Sequence, residues 1–124
     1  MANSHAAAAG AYGRIHTRGI GGRRVEAEAF ARAASYLRQA QDRPGDRSGL
    51  ARALGFNQKL WTIVQAEASD PNHPAPIDMR DGMLDLARFM DQATADSLHA
   101  SAPRLDAMIA VNESLASGLF GRAS

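Results

Sequence analysis

The fold is decided by residues 47–68, RSGLARALGFNQKLWTIVQAEA. Side chains suited to a core return there every three or four residues, which is the period of one face of an α-helix. At ~1.5 Å per residue the helix would be about 33 Å long, the full length of a small bundle. Gly55 lies inside it and suggests a kink or a close helix contact. The expected inner face consists of Leu50, Ala53, Leu54, Asn57, Leu60, Trp61, Val64 and Ala68.

The same period occurs on both sides of this helix. It predicts a first helix from about residue 24 to 41, a third from about 77 to 99, and a last one that starts at residues 101–103. Pro44 and Gly45 separate the first two helices, three prolines between residues 71 and 76 stiffen the next connection, and Gly118 and Gly121 let the last helix end. The expected inner faces are Val25, Ala29, Phe30, Ala33, Tyr36, Leu37 and Ala40; Met79, Met83, Leu86, Ala87, Met90, Ala93 and Thr94; and Leu105, Met108, Ile109, Asn112, Leu115, Ala116 and Leu119.

No segment alternates with a period of two, so no strand is predicted. Short links between long helices favour antiparallel neighbours. The sequence therefore predicts an all-α fold, a small antiparallel bundle of about four helices over residues 23–121. Residues 1–22 hold five of the eleven glycines and no apolar period, and are predicted to form a flexible arm rich in Gly, Ala and Arg.

Composition narrows the classes of function. The 124 residues fit one domain, and the absence of cysteine excludes disulfides, thiolate metal sites and a cysteine nucleophile. No apolar run approaches the ~20 residues of a membrane span, so the expected location is the cytoplasm. No two histidines lie three or four residues apart, and His73 near Asp70 and Asp78 is explained better by helix-capping carboxylates than by a metal site. We expect no metal, no cofactor and no enzymatic activity.

Charge is distributed unevenly along the chain. Residues 1–25 contain four arginines and no acid, whereas residues 67–113 contain nine acids and three bases. A nucleic-acid binder usually shows a broad basic face, so this pattern argues against nucleic acid as the main partner. Asp78, Asp81 and Asp85 share one helix face near its start, where the helix dipole favours negative charge.

Several residues could serve either the core or a binding surface. Trp61 is the only tryptophan, and it would be expected in a core and equally as the hot spot of an interface. The amide of Asn57 must find partners, which we expect among backbone groups of the loop around Asn72. The methionines of the third and fourth helices suit core filling or an adaptable groove; they are Met79, Met83, Met90 and Met108.

The run NQKLWTIV (residues 57–64), followed by Asp70-Pro71-Asn72, Pro76 and Arg80, resembles the FlaF family of flagellar biosynthesis regulators. Residues 24–37 look like that family's amino-terminal helix, and the closing pattern is similar between residues 105 and 119. The resemblance spans about residues 23–120. It implies a cytoplasmic factor that supports flagellin production and export, with flagellin and the FlbT regulator as expected partners.

Two mechanisms are compatible with this resemblance. In the first, the bundle is a secretion chaperone that covers an amphipathic terminal segment of flagellin in an apolar groove. In the second, it regulates flagellin mRNA through the arginines of the arm or through the FlbT regulator. The predicted partner-binding residues are Asn57, Leu60, Trp61, Val64, Asn72, Arg80 and Met83.

Overall fold

The computed structural model describes the backbone of residues 23–123 and the side chains of residues 27–118. Within this range the chain forms four α-helices and no strand: α1 (Arg23–Asp42), α2 (Arg47–Ser69), α3 (Ile77–His99) and α4 (Asp106–Ala123). The predicted all-α fold is confirmed. The predicted arm, residues 1–22, lies outside the described residues, as do the side chains of Val25 and Leu119.

Neighbouring helices run antiparallel. The carboxyl end of α1 meets the start of α4, where Gln41 Nε2 donates to Asp106 Oδ1 at 2.8 Å. One end of α2 is tied to the opposite end of α3, because the Arg47 guanidinium donates to the carbonyls of Ala100 and Leu98 at 2.8 and 3.0 Å. Helix α1 packs against both α4 and α2, and α3 packs against α2. The result is the small antiparallel bundle that the short connections predict.

The core follows the predicted helix faces with few exceptions. The helical period predicts Tyr36 inside, but its side chain is 39% exposed and stands edge-on to Phe56 on the outside of α1 and α2. Ala29, Leu60, Met79 and Ala93 lie half-buried at the margin of the core. The fully buried large side chains come from all four helices and include Leu37, Leu54, Trp61, Met83, Leu86, Met90, Leu105, Met108 and Leu115.

The bounds of α4 differ from the prediction. The helix starts at Asp106 rather than at residues 101–103, and Pro103 is buried in the preceding loop. The side chain of Gln41 accepts the backbone N–H of Leu105, which fixes the chain just before the first turn. At the other end α4 runs through Gly118 and Gly121 to Ala123, because a glycine lowers helix stability by only about 1 kcal/mol and does not by itself end a helix.

Two glycines of α2 have different surroundings. Asp46 caps the helix, and its Oδ1 accepts the backbone N–H of Gly49 at 2.9 Å. A Cβ atom on Gly49 would lie 2.5 Å from Asp46 Oδ2, so the glycine makes room for the cap. Around Gly55, apart from the adjoining backbone of α2 itself, no atom lies within 4 Å of such a Cβ, and α2 runs from Arg47 to Ser69, so the suggested close helix contact is absent there.

Candidate functional site

The structure divides the seven predicted partner-binding residues into two groups. Four of them have buried side chains, namely Asn57, Trp61, Val64 and Met83. The other three lie half-buried or exposed: Leu60 on the margin of α2, Asn72 in the loop and Arg80 at the start of α3. The seven therefore do not form one continuous surface, and a partner could touch only the second group without separating the helices.

The buried group is organised by a chain of hydrogen bonds, which we call the core relay. Trp61 Nε1 donates to Asn112 Oδ1 at 3.0 Å, and Asn112 Nδ2 donates to Asn57 Oδ1 at 2.8 Å. Asn57 Nδ2 then donates to Met90 Sδ at 3.4 Å, a weak acceptor. Both asparagines have no exposed surface, so each amide depends on these partners. The core relay joins α2, α4 and α3 in one register.

Trp61 also fixes the position of α1. Its indole is 2% exposed and meets the ring of Phe30 edge-on, with ring centroids 6.0 Å apart. An edge-to-face pair of this kind adds about 0.5–1.5 kcal/mol beyond the area that it buries. Because the indole is buried and contacts residues of both α1 and α4, Trp61 is a core residue in this structure.

The prediction that the Asn57 amide bonds to the loop around Asn72 is wrong. The amide bonds to Asn112 and Met90 instead. The reason is distance: Asn57 lies twelve residues before the end of α2 at Ser69, which corresponds to about 18 Å along the helix. Asn72 is exposed, and its backbone N–H is bonded to Asp70 Oδ1 at 2.9 Å within the loop.

Arg80 holds the loop between α2 and α3. Its Nε donates to the carbonyl of Ala75 at 3.3 Å, and its Nη1 donates to the carbonyl of Asp70 at 3.2 Å. The guanidinium thus satisfies two backbone acceptors from opposite ends of residues 70–76. A planar group with several fixed donors suits this bridging better than a lysine would. Two of its donors are committed to the fold.

One surface feature was not predicted from the sequence. A cleft of ≈ 510 Å³ opens between the second half of α1 and the first half of α2, and we call it the α1–α2 cleft. Tyr36 and Phe56 pack edge-on within it, with centroids 5.1 Å apart. Its lining residues are Tyr36, Gln39, Ala40, Arg43, Asp46, Gly49, Arg52, Ala53 and Phe56. The sequence signals only the sign of its charge, because residues 47–66 contain two arginines, a lysine and no acid.

The exposed face of α3 has the opposite charge. Five of its aspartates are exposed, and among the described residues only Asp85 is in an ion pair, with Arg88. They are Asp78, Asp81, Asp85, Asp91 and Asp96. Asp78 lies in the first turn, where the helix dipole stabilises it. The described part of the molecule therefore presents a basic cleft on α1 and α2 and an acidic face on α3.

The matching family gives the chain its place among known proteins. The sequence profile of the family described as "Flagellar protein FlaF" matches residues 8–119. This chain belongs to the FlaF family. The match begins fifteen residues before α1, so it includes part of the predicted arm and extends beyond residues 23–120, which carry the resemblance. Neither the curated proteins nor the solved structures contain a significant match.

Three of the residues that carry the FlaF resemblance serve the fold in this structure. Asn57 and Trp61 belong to the core relay, and Arg80 holds the loop. Among the residues that the structure describes, no group of three histidines, aspartates or glutamates is placed to hold a metal ion. None of the described helices combines the length and the apolar character that crossing a membrane requires.

Proposed function

We propose that this FlaF-family chain acts in the cytoplasm as a non-enzymatic chaperone that binds flagellin before export. Membership of a flagellar protein family over residues 8–119 is the observation that carries the proposal. A chaperone needs a surface on which an amphipathic segment can dock rather than reacting groups. The described surface supports this role, because four large apolar side chains are exposed on it: Tyr36, Ile63, Ile77 and Leu98.

The seven binding residues that the sequence predicts have two different roles in this proposal. Leu60, Asn72 and Arg80 are accessible enough to touch a partner on the closed bundle. Trp61, Val64 and Met83 are at most 4% exposed, and Asn57 is fully buried. These four would contribute through the stability and register of the helices, unless binding opens the bundle.

The proposal is tested by calorimetric titration of the full chain with monomeric flagellin, at low and at high salt. We expect saturable one-to-one binding to intact flagellin and no binding to flagellin that lacks its terminal segments. The truncated flagellin is the control, because it keeps the folded middle of the protein and lacks the amphipathic segments. A folded chain that produces no binding heat with intact flagellin would contradict the proposal.

A second candidate, regulation of flagellin mRNA, is supported by the basic residues of the α1–α2 cleft, Arg43 and Arg52. Such binding would weaken steeply with salt, since each neutralised phosphate releases counterions. The net charge of the bundle is unfavourable for RNA binding, because residues 27–118 contain nine bases and twelve acids. Titration with the leader RNA of the flagellin message distinguishes the two candidates: tight RNA binding without flagellin binding would favour the regulator.

A further inference from the structure

We infer that the α1–α2 cleft is the docking surface of this chain, and that its occupant is an amphipathic helix that carries carboxylates beside its apolar face. The inference rests on the proposed function, because flagellin is the partner that would supply the helix. It moves the binding surface away from Trp61, Met83 and Met90, which the bundle has already buried.

The shape of the cleft suits a helix laid between two helices. Its apolar lining comes from Tyr36 and Ala40 on α1 and from Ala53 and Phe56 on α2. Alanines next to the aromatic pair leave space, and the ≈ 510 Å³ volume lies within the range of sites that accept several apolar groups. Tyr36 is 39% exposed, so its ring can gain contacts when a partner covers it. Anchors at helical spacing on a partner would fill such a groove.

The charges of the cleft select the sign of the partner. Arg43 and Arg52 line it, and Asp46 is its one acidic residue. Asp46 is occupied as the cap of α2, since its Oδ1 accepts the Gly49 N–H. Arg52 bonds through Nη1 to Ser48 Oγ at 2.8 Å and keeps other N–H groups for a ligand. Within the part of the chain that the structure describes, neither arginine is in an ion pair. Two arginines without acidic partners fit carboxylates.

Other occupants fit these charges less well. Residues 1–22 contain arginines and no acid, so the cleft would repel them. The acidic α3 face of a second copy is complementary, but a contact between two different faces makes open chains unless its rotation closes a ring. RNA would meet the acidic α3 face on the same small bundle. A carboxylate-bearing helix of another protein meets none of these objections.

The decisive experiment compares two double variants with the same change in net charge. In R43E/R52E both cleft arginines are reversed, and in R88E/R104E two exposed arginines outside the cleft are reversed. Each is titrated with monomeric flagellin after circular dichroism has shown that it is folded. We expect R43E/R52E to weaken the dissociation constant about tenfold or more, and the control to stay within about threefold, because charge contacts with the partner are lost only in the first.

Each other outcome has a definite meaning. Equal weakening by both double variants, or by neither, overturns the cleft as docking surface and leaves the proposed function standing. No flagellin binding by the unmodified chain overturns the proposed function and the inference together. If R43E/R52E abolishes RNA binding or self-association of the chain, measured by sedimentation, while flagellin binding stays intact, the cleft serves that other occupant and the inference is wrong.

Discussion

The core relay and the α1–α2 cleft differ in how their residues relate to solvent, and that difference separates folding from binding in this molecule. Trp61, Asn57 and Asn112 are the residues whose types look most specialised, and all three are buried and joined to one another by hydrogen bonds. Tyr36, Arg43 and Arg52 look ordinary in the sequence, and they line an open cleft. The unusual residues within the apolar stripes thus serve to align the helices with one another. The surface that can bind a partner selectively lies elsewhere, in the α1–α2 cleft.

Removing the indole is expected to have the largest effect on stability. Trp61→Ala should lower the free energy of unfolding by about 3–5 kcal/mol, because it empties the centre of the bundle and removes a hydrogen bond and an aromatic contact. Urea denaturation followed by circular dichroism measures this loss. Tyr36→Ala is the matched control and should cost about 1.5 kcal/mol or less, since it removes mainly the edge-on pair with Phe56. Similar losses for both would mean that Trp61 is not the centre of the core.

Breaking the core relay at its middle is expected to come next. Asn112→Leu leaves Trp61 Nε1 and Asn57 Oδ1 without their partner, at a total cost of about 2–3 kcal/mol. A double-mutant cycle with Asn57→Leu measures the coupling, and the second substitution should cost less in the Asn112→Leu background than alone. Asn72→Ala, in the exposed loop, is expected to stay within about 0.5 kcal/mol. Additive losses at Asn57 and Asn112 would contradict the relay.

The helices and most of the core could be read from the sequence because both depend on local periodicity. The stripe of α2 was right at seven of its eight positions, with Leu60 only half-buried. The partner of Asn57 could not be read, because pairing with Asn112 spans 55 residues and depends on how α2 and α4 are aligned. The prediction that Tyr36 is buried is wrong, because a tyrosine at the edge of an apolar stripe can lie either in the core or at the surface. The cleft depends on the spacing of two helices, which no single segment encodes.

Two glycines of α2 allow a test with a smaller expected effect, because a side chain has space at one of them and meets the helix cap at the other. Gly55→Ala should raise the free energy of unfolding by about 0.5–1 kcal/mol, because alanine favours helix and the new Cβ would meet no atom outside the adjoining backbone of α2 within 4 Å. Gly49→Ala has the same propensity gain, but the Cβ would displace Asp46 from its cap, which costs about 1 kcal/mol. Thermal unfolding of the two variants should therefore differ by about 1 kcal/mol in favour of Gly55→Ala. Equal gains would show that Asp46 contributes no cap.

The cleft arginines are expected to affect stability least. R43E/R52E should change the free energy of unfolding by less than about 0.5 kcal/mol, because both side chains are exposed and the described structure shows no ion pair for either. R38E is the useful comparison. It breaks an exposed pair with Glu113 at 2.6 Å and should cost about 1 kcal/mol at most, less at high salt. If R43E/R52E destabilised the bundle more than R38E, these arginines would be part of the fold like Arg80. A small change would leave both charges available for a partner, which a docking surface requires.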